Sequence, residues 1–375
     1  MQDVIQLMKQ SKSPLLIGIW GMVGIGKSTI AKAIYDQIGP YFEDKSFIDV
    51  SNIGGKPSNN AHAFIKNELL FDLGIIKTKK GISTIESLKI QHGHQSKRVL
   101  IILDNVDKME QLDALCEHRE LFGLGSKIII TTRDRYLLKK HKVNHIYNVK
   151  GLDESESLEL LNWSAFSQAR TPPDDFGEIS RQLVAYSRGW PLALKEIGFF
   201  LYGKEIHEWI GVWRSLQRFS IPVLRLLQAL EDNFSALSDE EKQIFLDISC
   251  FFIGMNQNDV LQTKQYTTLQ ISLLEDKGLV SIDENNKLRM HVLLQAMARD
   301  IIERESSNMT NQVSNMILRI SQIDVSLIYG LLNPKYMMAK GSKVNIYEIR
   351  LLTFGFIIFT RTFKVSKIVN SKVVT

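Results

Sequence analysis

Between Pro14 and Val149 short apolar runs alternate with amphipathic segments. The runs Leu15 to Trp20, Phe47 to Val50, Val99 to Leu103 and Lys127 to Thr132 are mostly unbroken, which predicts parallel strands covered on both faces. Strands of this kind separated by helical stretches predict a doubly wound α/β domain over residues 14–150. Ahead of it, MQDVIQLMKQSKSP places Val4, Ile5 and Met8 on one helical face, so residues 1–13 read as a short linker helix.

After Gly151 the punctuation becomes helical. Asp153 with Glu156 makes a capping-box start for a helix through Phe166, and Pro172-Pro173 breaks the chain after it. A second helix through Leu183 and Tyr186 ends at Gly189, and Pro191 falls where a first helical turn tolerates it. Residues 151–220 are therefore expected to form a small helical bundle. Ser238-Asp239-Glu240-Glu241 is a full capping box, followed at helical spacing by Ile244, Phe245, Ile248 and Phe252. Another helix is expected over Thr267 to Lys277, then two short strands around Asp283-Glu284-Asn285-Asn286, then a helix from Val292 to about Arg304. That order predicts a winged helix over residues 221–305, whereas residues 306–375 show no clear period, cap or repeat and stay unassigned.

Composition adds exclusions. With 44% hydrophobic and 23% charged residues and 8 prolines in 375 residues, the chain is an ordinary folded protein, not a disordered or collagen-like one. Cys116 and Cys250 form no Cys-x-x-Cys pair, which argues against a zinc knuckle or a disulfide framework and for a reducing, intracellular compartment. The cytoplasm is the expected location, with the nucleus left open. Nothing at the start reads as a signal peptide, and the longest apolar run, Leu351 to Phe359, is well short of the roughly 20 residues of a membrane span. Asn308-Met309-Thr310 is a glycosylation sequon without meaning unless the chain is secreted. The net charge of +5 is uneven: from Ser306 onward nine Lys/Arg face two acids, a tail of +7 that leaves the first 305 residues at −2.

Three motifs carry chemistry. Gly21-Met22-Val23-Gly24-Ile25-Gly26-Lys27-Ser28 is a complete G-x-x-x-x-G-K-[ST] phosphate loop between a strand and a helix. Its glycines let backbone N–H groups converge on phosphate oxygens, Lys27 neutralises terminal phosphates, and the Ser28 hydroxyl can ligate Mg²⁺. Arg98 to Asp104 is an apolar strand ending in an acid, where P-loop folds hold magnesium through water. Asn105 follows, and an amide cannot take a proton from an attacking water. Ile128 to Arg133 is a further strand ending in hydroxyls and a guanidinium, placed to sense a γ-phosphate or simply to cap a helix beside a solvated arginine. His92, His94, His141 and His145 lie in polar, loop-like stretches without a third metal ligand, and His291 reads as a packed or surface histidine. Trp163, Trp190, Trp209 and Trp213 read as core or interface packing.

Together these residues resemble the NB-ARC nucleotide-binding module of plant disease-resistance proteins, in the class that carries an N-terminal TIR domain. The resemblance runs through the phosphate loop, Leu103 to Asp107, Gly125 to Asp134, Gly189 to Leu194, Phe245 to Phe252 and Met290 to Gln295. It implies an α/β P-loop NTPase domain followed by helical-bundle and winged-helix domains, closed on ADP at rest and reopened with ATP. By motif it also implies that the loop, Gly21, Gly24, Ile25, Gly26, Lys27, Ser28 and Thr29, contacts phosphates and Mg²⁺. Arg133 is implied at the phosphate edge, Pro191 on the adenine side, and His291 at the β-phosphate. The family has Asp at the positions of Asn105 and Val292 and Leu at that of Trp190. The TIR domain and leucine-rich repeats of the class are not represented in these residues.

Three functions stay open on this reading: a nucleotide-dependent switch in immune signalling with protein partners, an ordinary P-loop ATPase, and a nucleic-acid-binding ATPase using the winged helix. Asn105 speaks against fast turnover, leaving at most a slow ATPase. His291 to Arg304 offers Arg299 and Arg304 against Asp300 and Glu303, which gives nucleic acid little to bind.

Overall fold

The apolar runs assemble into one sheet. Leu15–Trp20 (β1), Asp44–Asp49 (β2), Val99–Val106 (β3), Lys127–Thr132 (β4) and His145–Asn148 (β5) lie in the order β2-β3-β4-β1-β5, every pair parallel. β1 and β4 are buried along their whole length. Their side chains alternate between two cores, Ile17, Ile19 and Ile129 facing one and Leu16, Ile128 and Ile130 the other. The first core also takes Val4, Ile5 and Met8 of α1 (Gln2–Lys9) and Ala31 and Ile34 of α2 (Lys27–Ile38). The second takes Ile65 and Leu69 of α3 (Ser58–Asp72), Leu112 of α4 (Met109–Cys116), and Leu137 and Leu138 of α5 (Arg135–Lys140).

The structure, a computed structural model, describes residues 2–9, 14–53, 58–74, 97–116, 122–166, 174–218, 223–264 and 266–307. The chain divides into two units, Met1–Thr310 and Asn311–Thr375, and these residues all belong to the first. His92, His94, Pro172-Pro173, the Asn308 sequon, the Leu351 to Phe359 run and the remainder of the basic tail lie outside the described residues.

The first core continues into helices. These are α6 (Glu154–Ala165), α7 (Gly177–Ser187), α8 (Pro191–Leu201) and α9 (Ile206–Gln217), which contribute Leu161, Leu183, Leu194 and Trp209. The Asp153–Glu156 capping box is formed, and Pro191 occupies the first turn of α8, so the local signals act as expected. Next come α10 (Leu224–Ser235), α11 (Asp239–Asp247) with a π-helical turn Ile248–Phe252, α12 (Gln257–Lys264) and α13 (Thr268–Asp276). The wing strands are Ser281–Ile282 (β6) and Leu288–Arg289 (β7), paired antiparallel, and α14 (Val292–Ser307) closes the described chain. Among the described residues no helix is long and apolar enough to cross a membrane.

Some expectations change. β2 begins three residues before Phe47 and ends before Val50, and His145 belongs to strand β5 and not to a loop. Both are the sheet's outer strands, only partly covered, so they do not need unbroken apolar runs. Trp163 is 42% exposed and so does not serve the core as Trp190 and Trp209 do. α12 is an additional helix before the wing.

Candidate functional site

The phosphate loop leaves β1 at Trp20 and enters α2 at Lys27. Gly24 (φ +65°) and Gly26 (φ +101°) take left-handed conformations that β-carbons resist, which curls the loop back on itself. Gly26 precedes α2 without a side-chain cap, so the first helical N–H groups face the loop with no capping oxygen. A β-carbon at Gly26 would meet nothing within 4 Å, and the space over the loop is open there. Lys27 is 6% exposed, and its Nζ donates to the carbonyls of Gly21 and Met22, both at 2.9 Å. Burial, with the Arg133 charge, lowers its ammonium to about 8, and Asp104 partly offsets them. Ile25 is buried, Ser28 half-buried and Thr29 exposed. Free donors at a helix start, open space and a buried cation fit a polyphosphate.

Three strand ends meet the loop's edge of the sheet, which is where parallel α/β sheets hold ligands. Asp104 is 4% exposed and accepts from the Thr131 hydroxyl. Asn105 sits at φ +63°, a left-handed conformation that asparagine tolerates, and its N–H donates to Thr131 Oγ1 at 2.9 Å. Its amide donates to Asp49 Oδ1 at 3.1 Å and to Asp104 Oδ2 at 3.3 Å, bridging carboxylates that the strand register sets side by side. Burial raises the Asp49 carboxyl, but bonds from Ser51 and Asn105 outweigh it and hold the group below the usual range. Arg133 is exposed, and its guanidinium donates to Asn233 Oδ1 on α10. Its charge reaches Lys27, although its hydrogen bond points to α10.

The helical layers close over the loop. Gly189 (φ +71°) makes the turn into α8, and a β-carbon there would meet the Leu152 carbonyl at 2.2 Å. That turn sets Trp190 so that its indole N–H donates to Val23 O at 2.8 Å, and Leu192 N–H donates to Gly24 O at 3.2 Å. Pro191, half-buried, lies between these two contacts. A β-carbon on Gly24 would strike the Leu192 side chain at 2.4 Å, so the loop glycine also serves this fit. Gly278, just past α13, approaches Met22 from the winged-helix side. His291 packs edge-on against Trp190 with centroids 4.9 Å apart. Its Nε2 bonds Ser187 O at 3.1 Å, and its Nδ1 accepts Leu293 N–H at 3.2 Å. Burial lowers the imidazole to about 4 despite the opposing bond to Ser187, so the ring is neutral, with its proton on Nε2.

The fold thus brings Lys27, Asp104 and Arg133 to one edge, sets Pro191 against the loop, and joins His291 to it through Trp190. Sequence reasoning missed Asp49, the Thr131 bond to Asp104, Gly278 and the indole bond to Val23. Of these only Asp49, a carboxylate near the end of the short Phe47 to Val50 run, had a local signal. Cys250 is a free thiol that burial pushes up to about 11, so it is unreactive near neutral pH.

A parallel sheet with a glycine phosphate loop, a strand-end acid and covering helices defines a P-loop nucleotide-binding protein. Residues 1–171 match the family model of the NB-ARC domain, and residues 238–307 match the disease resistance protein Roq1-like winged-helix domain. Residues 1–171 are an NB-ARC domain. Disease resistance protein RUN1 of Vitis rotundifolia is 36% identical over 322 residues, covering 83% of this chain and 23% of that protein. RPV1 of the same plant is 35% identical, covering 80% and 21%, and RPP4 of Arabidopsis thaliana is 30% identical, covering 80% and 26%. The chain spans about a quarter of the length of these curated relatives.

Proposed function

We propose that this chain is the ADP/ATP-binding switch of a plant disease-resistance signalling protein. The observation that carries the reading is the double use of the phosphate loop: Val23 and Gly24, whose shape a nucleotide would set, are also what α8 grips. Occupancy of the loop is thereby linked to the position of the helical layers. Lys27, Ser28 and Thr29, with the N–H groups from Gly21 to Ile25 and Gly26, would hold phosphates, and Ser28 and Asp104 would hold Mg²⁺, the latter through water. Bound there, the ion would neutralise phosphate charge. Pro191 would flank the adenine. Arg133 and His291 would read the terminal phosphates after giving up Asn233 and Ser187, their present acceptors.

The boundaries 14–150, 151–220 and 221–305 would separate the three moving parts, after a linker helix in 1–13 and before the unassigned tail 306–375. Cytoplasmic immune-signalling proteins would be the partners. Identifying the nucleotide that co-purifies with the full chain tests the reading. Bound ADP is the expected result, and a chain that binds neither ADP nor ATP would refute it.

A further inference from the structure

Trp190 is 1% exposed, and a buried indole N–H needs an acceptor. It finds one in the phosphate loop, Val23 O at 2.8 Å, across 167 positions of sequence. The other side of the same residue is tied to His291. The Ser187 carbonyl accepts both the Trp190 main-chain N–H at 2.9 Å and His291 Nε2 at 3.1 Å, and the two rings meet edge to face at 4.9 Å. His291 in turn caps α14 through Leu293 N–H at 3.2 Å. An unbroken path of named contacts therefore runs from the second residue after the first loop glycine to the last helix of the winged layer.

We infer that Trp190 is a positioning residue of the nucleotide site, fixing the Val23 carbonyl and the His291 ring in one geometry so that a change in the loop is felt at the start of α14. The inference rests on the switch reading above and assigns it a specific link. A carbonyl that rotates when the loop is filled or emptied strands a buried indole N–H, and the indole cannot move without disturbing its shared acceptor and the His291 ring. A leucine at this position could pack, but it could not sense the carbonyl.

Trp190→Phe keeps a ring against His291 and removes the donor; Trp190→Leu removes both. Release of a fluorescent ADP analogue from the full chain should quicken about fivefold in Trp190→Phe, the worth of one buried hydrogen bond, and further in Trp190→Leu. The rise in melting temperature on adding Mg·ADP should shrink in Trp190→Phe, whereas a merely structural role would lower both melting points equally. Should the variants not fold, the wild-type chain answers through its five indole N–H resonances, that of Trp190 being assigned by replacing Trp20, Trp163, Trp209 and Trp213 singly. It should move when ADP binds. A wild-type chain without any ADP response overturns the switch reading itself. ADP binding with an unchanged off-rate in Trp190→Phe, or an unmoved Trp190 resonance, overturns this inference alone.

Discussion

Lys27 is a buried cation whose Nζ is held by two loop carbonyls. Burial and the Arg133 charge lower its ammonium to about 8, and a phosphate beside Nζ would raise it again. Phosphate binding would therefore take up a proton wherever Lys27 has lost one, and affinity should fall as pH rises through that value. ADP affinity should be level below about pH 7 and drop about tenfold between pH 7 and pH 9. Calorimetry in buffers of different ionisation enthalpy reads the proton directly, and a level profile would show that Lys27 keeps its charge. Lys27→Ala should weaken ADP at least tenfold, about 1.4 kcal/mol, with the fold intact. Asn105 poses a separate problem of charge. Its amide donates to both Asp49 and Asp104, so an aspartate there removes two bonds and gathers three carboxylates. Single-turnover hydrolysis by the wild type should be slow, and the gain from Asn105→Asp should be fully expressed only with Asp49→Asn beside it. Wild-type turnover near the roughly 10 per second of ordinary enzymes would reverse this reading.

The start of α14 shows how an element's stability depends on one neutral ring. The residue before the helix is His291, and its Nδ1 supplies the cap, so Val292 is the first helical residue and its lack of an oxygen leaves no cap missing. Val292→Asp should consequently add only the dipole contribution, about 0.3–1 kcal/mol, and slow ADP release little. His291 is held at about 4, below its ordinary 6.5, so between these values the unfolded chain binds more protons than the fold. Stability from this group is complete above about pH 6.5 and is lost as pH falls toward 4. His291→Asn, which keeps a capping oxygen, should remove that share of the acid sensitivity, as urea unfolding at pH 5 and pH 7 would show. The capping boxes at Asp153 and Ser238, the Pro191 turn and the phosphate loop were legible in the sequence because each is set by residues a few positions apart, whereas the His291 cap was not, a histidine being an uncommon cap. β5 was not, and β2 only over Phe47 to Asp49, since strands at the sheet's margins carry polar side chains that blur the apolar pattern. The indole bond to Val23 leaves no local trace either, being made by partners on different layers.

Across the whole molecule the sheet and the winged layer are joined by a few polar contacts. Trp20 Nε1 donates to the carbonyls of Arg133 and Asp276, at 3.1 and 2.8 Å, and Lys139 pairs with the Asp276 carboxylate at 2.7 Å. These contacts bear on whether the winged helix could read nucleic acid, because such reading needs cations free on its surface. Arg299 on α14 is 7% exposed, and Arg304 is paired with Glu231 and Asp300. Breaking those pairs to engage phosphates would give up one set of charge contacts for another. The first 305 residues carry −2, whereas the stretch from Ser306 carries +7, so any attraction for DNA should belong to the latter. A titration of duplex DNA against the full chain and against residues 1–310, between about 50 and 200 mM salt, separates the two sources. The full chain should bind weakly with a steep salt dependence, and residues 1–310 should not bind measurably. If the shorter chain retains the salt slope, α14 has freed its arginines and the winged helix is a nucleic-acid surface after all. If neither binds, the basic stretch serves some other contact, and the nucleic-acid reading of this chain falls.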